Sequence, residues 1–212
     1  VSRATDLLVA PCTRAAAKYA AQRWHYSGTL PNGKIACFGV WEDCRFIGAI
    51  VYGRGANNHM SSPFGLTQTE CVELVRIALT DHDSPVTQMI AASLRQLRAA
   101  CPGLRLVVSY ADTAQGHHGG VYQAASWLYT GARGSSDAYY LVQGVKTHGR
   151  TVSNFARYRK RTDETSLDYV RRTVDPQAHR IRNLPVKHRY ILPLNKTTRR
   201  VLRRMHKPYP KP

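Results

Sequence analysis

Five polar side chains interrupt or directly follow the apolar runs of residues 70–131: Arg76, Ser109, Tyr110, Asp112 and Tyr122. Burying a charge or an unpaired polar group is costly, so their concentration in one stretch points to a site. Arg76 lies between Val75 and Ile77, inside a near-continuous apolar run that has the pattern of a central strand. A guanidinium placed there reaches across a cleft to an anionic or carbonyl oxygen, or pairs with a carboxylate such as Asp112; the plain alternative is an Arg on a solvated face. Asp112 ends a second apolar run and suits a general base, a metal ligand, an orienting partner for His25 or Arg76, or a simple turn cap. Tyr122 is placed to protonate a leaving group or hydrogen-bond a reacting amine; otherwise it is an aromatic core residue at a helix start. Glu73 precedes Arg76 by three residues, which in a regular strand puts it on the opposite face and makes it the weaker candidate.

Two more candidates lie upstream. His25 and Tyr26 follow a helical stretch and precede Gly28. An imidazole with an ordinary pKa of about 6.5 suits proton transfer near neutral pH, although a histidine that closes a helix against its dipole has the same spacing. The pair His117-His118 invites a metal reading, but adjacent side chains splay apart and no H-x-x-x-H or Cys/His set accompanies them. His25 with Asp112 and one further ligand would make a His/carboxylate iron site. The metal is left open.

The elements that must position these residues are legible from periodicity. A strand is expected over 6–11, and a helix capped by Thr13 runs to about 24. Strands over 34–41 and 45–52 form a hairpin, followed by a central strand over 72–79. A helix over 84–98 starts at Asp83-Ser84-Pro85, with a cap residue and a proline near the first turn, and a second central strand spans 104–108. The glycine-rich loop 116–120 leads to a short helix over 121–127. Strands are expected on either side of the turn at 134–136, helices over 152–160 and 167–173, a strand over 187–193 and a basic helix over 197–206. This order predicts an α/β (α+β) chain with a mixed central sheet flanked by helices. Adjacent parallel strands open a crevice at their C-terminal ends, which places Arg76, Ser109 and Asp112 near one cleft.

The chain of 212 residues carries a formal net charge of +18, unevenly placed. Residues 1–145 hold 12 Lys and Arg against 9 Asp and Glu, whereas 146–212 hold 19 against 4. A near-neutral globular part with a strongly basic part points to a polyanion partner. The stretch 144–186 therefore reads as a basic, DNA-contacting insertion in a single domain over 1–212, with 187–212 a closing strand and basic helix. Within it, Arg150, Arg157, Arg159, Lys160 and Arg161 are the expected phosphate contacts. Phe155 and Tyr158 either stack on bases or form a small satellite core. The five cysteines are odd in number and lack a C-x-x-C spacing, which points to reduced thiols and a cytoplasmic setting. No apolar run approaches the roughly 20 residues needed to span a bilayer, and the N-terminus lacks a signal-peptide pattern.

The order of elements resembles the GNAT acyltransferase fold, in which a helix after the fifth strand carries a Tyr in a Y-x-x-x-G-F pattern. Tyr122-Gln-Ala-Ala-Ser126-Trp127 is similar, with Ser for Gly and Trp for Phe. A more specific set of segments resembles the Mom DNA-modification proteins of Mu-like phages: Arg23-Trp-His-Tyr-Ser27, Glu73-Leu-Val-Arg-Ile-Ala-Leu79, Ser109-Tyr-Ala-Asp112, Gln115-Gly-His-His-Gly-Gly-Val-Tyr-Gln123 and Lys187-His-Arg-Tyr190. That resemblance covers about residues 20–210. It implies a GNAT-like transferase that converts adenine in double-stranded phage DNA to N6-carbamoylmethyl adenine and protects it from host restriction. It also implies functional positions at His25, Tyr26, Arg76, Asp112 and Tyr122, an acyl-CoA or another activated small-group donor, and a link to iron. The other functions open to such a chain are a GNAT-type N-acetyltransferase acting on a protein or small amine, and a DNA-binding protein without catalysis. One departure stands out. The diphosphate loop of the GNAT pattern is rich in glycine, whose exposed N–H groups approach the phosphates, whereas here the corresponding stretch is Thr80-Asp-His-Asp-Ser-Pro85.

Overall fold

The computed structural model describes residues 6–55, 59–134, 138–182 and 184–211. The chain forms two compact units: Val1–Ala111 with Gly116–Gly131 and His188–Pro212, and Asp112–Gln115 with Ala132–Lys187. The expected insertion at 144–186 lies inside the second, smaller unit.

The larger unit is built on a seven-stranded sheet of order β1-β2-β3-β4-β5-β10-β6. Its strands are β1 (Leu7–Pro11), β2 (Ile35–Glu42), β3 (Arg45–Gly53), β4 (Cys71–Leu79), β5 (Leu106–Asp112), β6 (Leu128–Arg133) and β10 (Lys187–Pro193). Strands β1 to β4 are antiparallel neighbours, and β4 pairs with β5 in parallel. Helix α1 (Arg14–Trp24) starts at Thr13, whose hydroxyl accepts the Ala16 N–H at 3.1 Å, as the spacing predicts. Its buried Ala17, Ala20 and Ala21 carry little bulk, so the helix lies close on Ala49, Val51 and Ala78. On the other face, α2 (Val86–Ala100) sets Met89, Ile90, Leu94 and Leu97 against Phe38, Ile50, Tyr52 and Leu74. The β2–β3 hairpin turns on Asp43 and Cys44, both left-handed at φ 46° and 65°, the backbone of a type I′ turn.

Two irregularities of β4 shape the rest. Its parallel register with β5 covers only Cys71↔Leu106 to Glu73↔Val108, although β4 continues to Leu79 and β5 to Asp112. Beyond that point the strands part and leave a wedge. On its other edge, β4 pairs with β3 at Val51↔Arg76 and Tyr52↔Leu74, so Val75 is an extra residue in a β-bulge. A bulge resets the alternation of faces: Leu74 and Ile77 pack in one core cluster although three residues apart. Glu73 and Arg76 accordingly share the opposite face. The regular-strand expectation that separated them fails for this reason.

Several expected boundaries also move. Helix α2 is not capped by Asp83 or Ser84; their backbone N–H groups instead donate to the buried Glu42 carboxylate at 3.1 and 2.6 Å. Helix α3 (Gly120–Ala124) stops short of 127 because Ser126 turns left-handed at φ 57°, at the position where the family pattern has Gly, and the Trp127 N–H returns to the Tyr122 carbonyl at 3.0 Å. The strands expected around the turn at 134–136 belong to different sheets; Ser135 and Ser136 lie outside the described residues. In the smaller unit, β7 (Tyr139–Val142) joins β8 (Val145–His148) and β9 (His179–Arg180) in a three-stranded sheet. Helices α4 (Gly149–Ala156) and α5 (Ser166–Thr173) supply Val152, Ala156, Tyr169 and Val170 to a separate small core with Ala178. Helix α4 ends before Arg157, so Arg157, Arg159, Lys160 and Arg161 occupy the stretch that follows it rather than a helix over 152–160, and Arg150 lies in its first turn. The basic helix expected over 197–206 is α6 (Lys196–Leu202), continued by a 3-10 turn at Arg203–Met205.

All five cysteines are free thiols. Among the described residues, no helix is long and apolar enough to cross a membrane.

The close approach of β3 to β4 depends on Gly48, which adopts φ 149° and whose added Cβ would be driven into the Ala78 carbonyl oxygen. Gly48→Ala is expected to destabilise the fold by about 2–4 kcal/mol, read as a lowered denaturation midpoint. A midpoint equal to that of the parent chain would contradict this packing.

Candidate active site

The wedge between β4 and β5 is held open by a chain of polar contacts. Ser109 Oγ lies 2.8 Å from the Leu74 carbonyl and 2.7 Å from the Tyr122 hydroxyl oxygen. The carbonyl can only accept, so the single Ser109 proton goes to it and Tyr122 O–H donates to Ser109. Tyr122 is buried against Trp127 and Tyr190, with ring centroids 5.1 and 5.2 Å away. Burial, first of all, pushes its hydroxyl pKa up to about 12, with Tyr26, Glu73 and Tyr190 adding to the rise and the Ser109 hydrogen bond opposing it. Tyr122 therefore stays neutral at physiological pH and keeps its proton turned inward, which leaves its oxygen lone pairs to accept a hydrogen bond from a bound group.

Arg76 enters from β4. Its Nε donates to the Thr29 carbonyl at 3.1 Å and its Nη1 to the Val75 carbonyl at 2.6 Å. The bond to Thr29 ties the segment after α1 to the sheet, and the bond to Val75 fixes the guanidinium against its own strand. Burial pulls the guanidinium pKa down, against the opposing pull of Tyr26 and Glu73, but an arginine stays cationic throughout the working range. Glu73 reaches the same place through the bulge, and its Oε2 would lie 2.8 Å from a Cβ added at Gly55. Without a side chain, Gly55 leaves room for that carboxylate.

His25 and Tyr26 come from the end of α1, with their rings stacked at 4.3 Å. The Ser27 N–H donates to His25 Nδ1 at 3.1 Å, and Ser27 Oγ is 2.9 Å from the same nitrogen. A backbone N–H has only a proton to give, so Nδ1 bears the lone pair, and in the neutral ring the hydrogen is assigned to Nε2. Burial, followed by the interactions with Arg76 and His117, lowers the His25 pKa to about 4. At neutral pH His25 is an uncharged ring that offers an Nε2–H donor, not the proton acceptor that its type suggests. Tyr26 is 53% exposed and meets the His117 ring edge-on at 5.9 Å. The His117 loop is itself pinned: Tyr190 O–H donates to the His118 carbonyl at 2.5 Å, and Gly119, left-handed at φ 87°, lies so close to the Tyr190 ring that a Cβ would strike it.

Of the predicted site residues, the larger unit thus brings together His25, Tyr26, Arg76, Ser109 and Tyr122, and adds Glu73, the weaker candidate, and His117. Tyr110 packs instead beside the cluster of Cys71, Leu106 and Ile191. Asp112 belongs to the smaller unit, where Oδ1 accepts the Ala114 N–H at 3.0 Å and Oδ2 lies 3.4 Å from Lys187 Nζ. Its described contacts are those of a turn cap and an ion pair. Arg150, Arg157, Arg159, Lys160 and Arg161 are all exposed, as is Tyr158 at 89%. Arg157 lies 5.8 Å from the Tyr158 ring, and Arg159 lies 5.5 Å from that of Phe155. Phe155 is exposed but its ring also meets Tyr169 of the small core at 5.9 Å. Among the described residues, no three His, Cys, Asp or Glu side chains gather to hold a metal ion. His25 Nδ1 is already committed to Ser27, so the iron implied by the resemblance is assigned no ligands here.

Residues 6–211 match the Mom protein family. The methylcarbamoylase mom of Escherichia phage Mu is 28% identical over 198 residues, covering 90% of this chain and 78% of that protein. Among solved structures, an acetyltransferase of Bacillus subtilis in complex with CoA gives a TM-score of 0.44 at 10% identity, over 91% of this chain and 100% of that one. A probable GNAT-family acetyltransferase of Chromobacterium violaceum gives 0.45 at 10% identity, over 90% and 84%. Likeness of that degree assigns no ligand and no residue role to this chain.

The His25 assignment has a direct spectroscopic consequence. Its folded pKa is depressed below the unfolded value of about 6.5, so on acidification the unfolded chain takes the proton first. The stability that His25 contributes is full above about 6.5 and is lost as the pH falls toward about 4. Nitrogen-15 NMR should show His25 as the Nε2–H tautomer at neutral pH, titrating near the lower limit. An Nδ1–H tautomer or a midpoint near the ordinary value would contradict the geometry.

Proposed function

We propose a function from one premise: the chain belongs to the Mom protein family. It is a transferase that adds a carbamoylmethyl group to the N6 amine of adenine in double-stranded phage DNA, inside the host cytoplasm, and so shields that DNA from restriction. That the phage Mu relative is a methylcarbamoylase supports transfer of a small amide-bearing group. The observation in this chain that carries the reading is the pairing of Glu73 and Arg76 on one face of β4, created by the bulge at Val75.

The N6 amine of adenine is stacked and paired in a duplex, so the base must leave the helix to react. The exposed Tyr26 ring, stacked on His25, offers a flipped base an aromatic surface. The N6 lone pair is delocalised into the purine ring, which makes the amine a weak nucleophile. As N6 bonds to the carbon of the transferred group, that carbon's bond to the donor's carrier breaks, the carrier departs with the electron pair, and the proton that N6 loses passes to the Glu73 carboxylate. Arg76 and the His25 Nε2–H hold the donor's carbonyl oxygen. The Tyr122 oxygen, with its own proton engaged by Ser109, accepts a hydrogen bond from the amine and orients it. Asp112 keeps its turn and its pairing with Lys187 and is given no chemical step. The basic turns after α4 contact phosphates, a sequence-independent and salt-dependent term.

Mass spectrometry of nucleosides from DNA co-expressed with the chain tests this. The expected product is an adenosine bearing the added group, lost in Arg76→Met while DNA affinity stays near that of the parent chain. Arg157→Ala, Arg159→Ala and Lys160→Ala together should weaken DNA binding and flatten its salt dependence by about one unit of slope per phosphate contact removed. Unmodified DNA with the parent chain, or acetylation of an amine without DNA, would overturn the proposal.

A further inference from the structure

The loop between β4 and α2, residues 80–85, leads into a helix of 15 residues. Backbone N–H groups at such a junction form a natural anion seat, and a donor of the coenzyme A type would set its diphosphate there. The residues present do not fit that group. The Glu42 side chain, only 4% exposed, sits under the loop and accepts the Ser84 N–H at 2.6 Å and the Asp83 N–H at 3.1 Å. Thr80 donates its N–H to the Ile47 carbonyl at 2.9 Å, and Pro85 has none to give. Arg45 Nη2 holds the Asp81 carbonyl at 3.0 Å from outside. The β2–β3 hairpin therefore grips this loop at four of its six residues. The loop contains no glycine, and the carboxyl-bearing side chains of Asp81 and Asp83 are exposed on it, where they repel an approaching diphosphate.

We infer that Glu42 is a built-in anion that permanently fills the amide seat of the β4–α2 loop, so the group donor is held without a diphosphate on that loop. Burial alone would raise the Glu42 pKa; the Ser84 hydroxyl and amide and the Asp83 amide, with His82 nearby, outweigh it and hold the carboxyl below the usual range. The charged form is thus the one the loop is built around. Its stabilising effect is full above the unfolded glutamate pKa and is lost as the pH falls through the lower folded value. The class of donor that fits is a small activated group whose carbonyl or carboxylate meets Arg76 in the wedge. This inference rests on the transferase function only in supposing that a donor exists.

Two measurements test it on the full chain. In the parent protein, titration with coenzyme A and with inorganic pyrophosphate should leave the Asp83 and Ser84 amide NMR signals in place; saturable shifts of both would overturn the inference. Glu42→Ala orphans those amides and should lower the Tm by about 3–8 °C. Inorganic pyrophosphate should then raise the Tm of the variant but not that of the parent; equal responses would show that Glu42 does not stand in for an anion. If Glu42→Ala does not fold, the amide titration of the parent decides alone. Nucleoside analysis separates the two claims. Modified adenosine with shifted amides sinks this inference alone, whereas unmodified DNA with unmoved amides sinks only the proposed function.

Discussion

Strands β4 and β5 share three parallel pairs and then separate, and the site depends on that separation. Two parallel strands that part in the middle of a sheet leave backbone groups without ladder partners, and buried groups of that kind must be satisfied. Here Ser109 supplies the link, donating to the Leu74 carbonyl and receiving from Tyr122. The polar residues that look misplaced in the apolar run 104–112 thus include the one that makes the opening tolerable. The aromatic group of Tyr122, Trp127, Tyr129 and Tyr190 then packs behind the opening and keeps its wall rigid.

The bulge at Val75 works on the same strand from the other edge. One added residue turns a carboxylate and a guanidinium onto a single face while leaving Leu74 and Ile77 in the core. The electrostatics follow from that arrangement. Burial, and after it the cation beside His25, make a charged imidazole unfavourable, so the ring stays neutral and donates through Nε2. The cleft holds an acceptor in Glu73 and donors in Arg76 and His25, which matches the needs of a reaction that deprotonates a weak amine and polarises a carbonyl.

Much of this was legible in residue order. The cap at Thr13, the hairpin over β2 and β3, the central position of β4 and the mixed sheet all follow from apolar period and turn chemistry, because those signals are local. What escaped depends on partners distant in sequence. The alternation rule misplaced Glu73, since a bulge depends on how the neighbouring strand registers and leaves no mark in β4 itself. The type of residue at His25 suggested a base, and only the Ser27 amide on Nδ1 reverses that. The N-terminal start of α2 looked self-capped, whereas its carboxylate comes from Glu42, about forty residues earlier. In the sheet of the smaller unit the strand at β7 was expected, whereas β8 and β9, of four and two residues and largely exposed, are too short for a period to register.

The central claim is that the bulge makes Glu73 the proton acceptor and leaves His25 a donor. The pH dependence of single-turnover adenine modification, compared between the parent chain, Glu73→Gln and His25→Asn, tests it most directly. The account predicts that Glu73→Gln slows transfer by about 10²–10⁴-fold, the usual contribution of a positioned base. It also predicts that the acidic limb of the parent profile disappears in that variant and persists, at a reduced rate, in His25→Asn. A limb that survives in Glu73→Gln and vanishes in His25→Asn would contradict it.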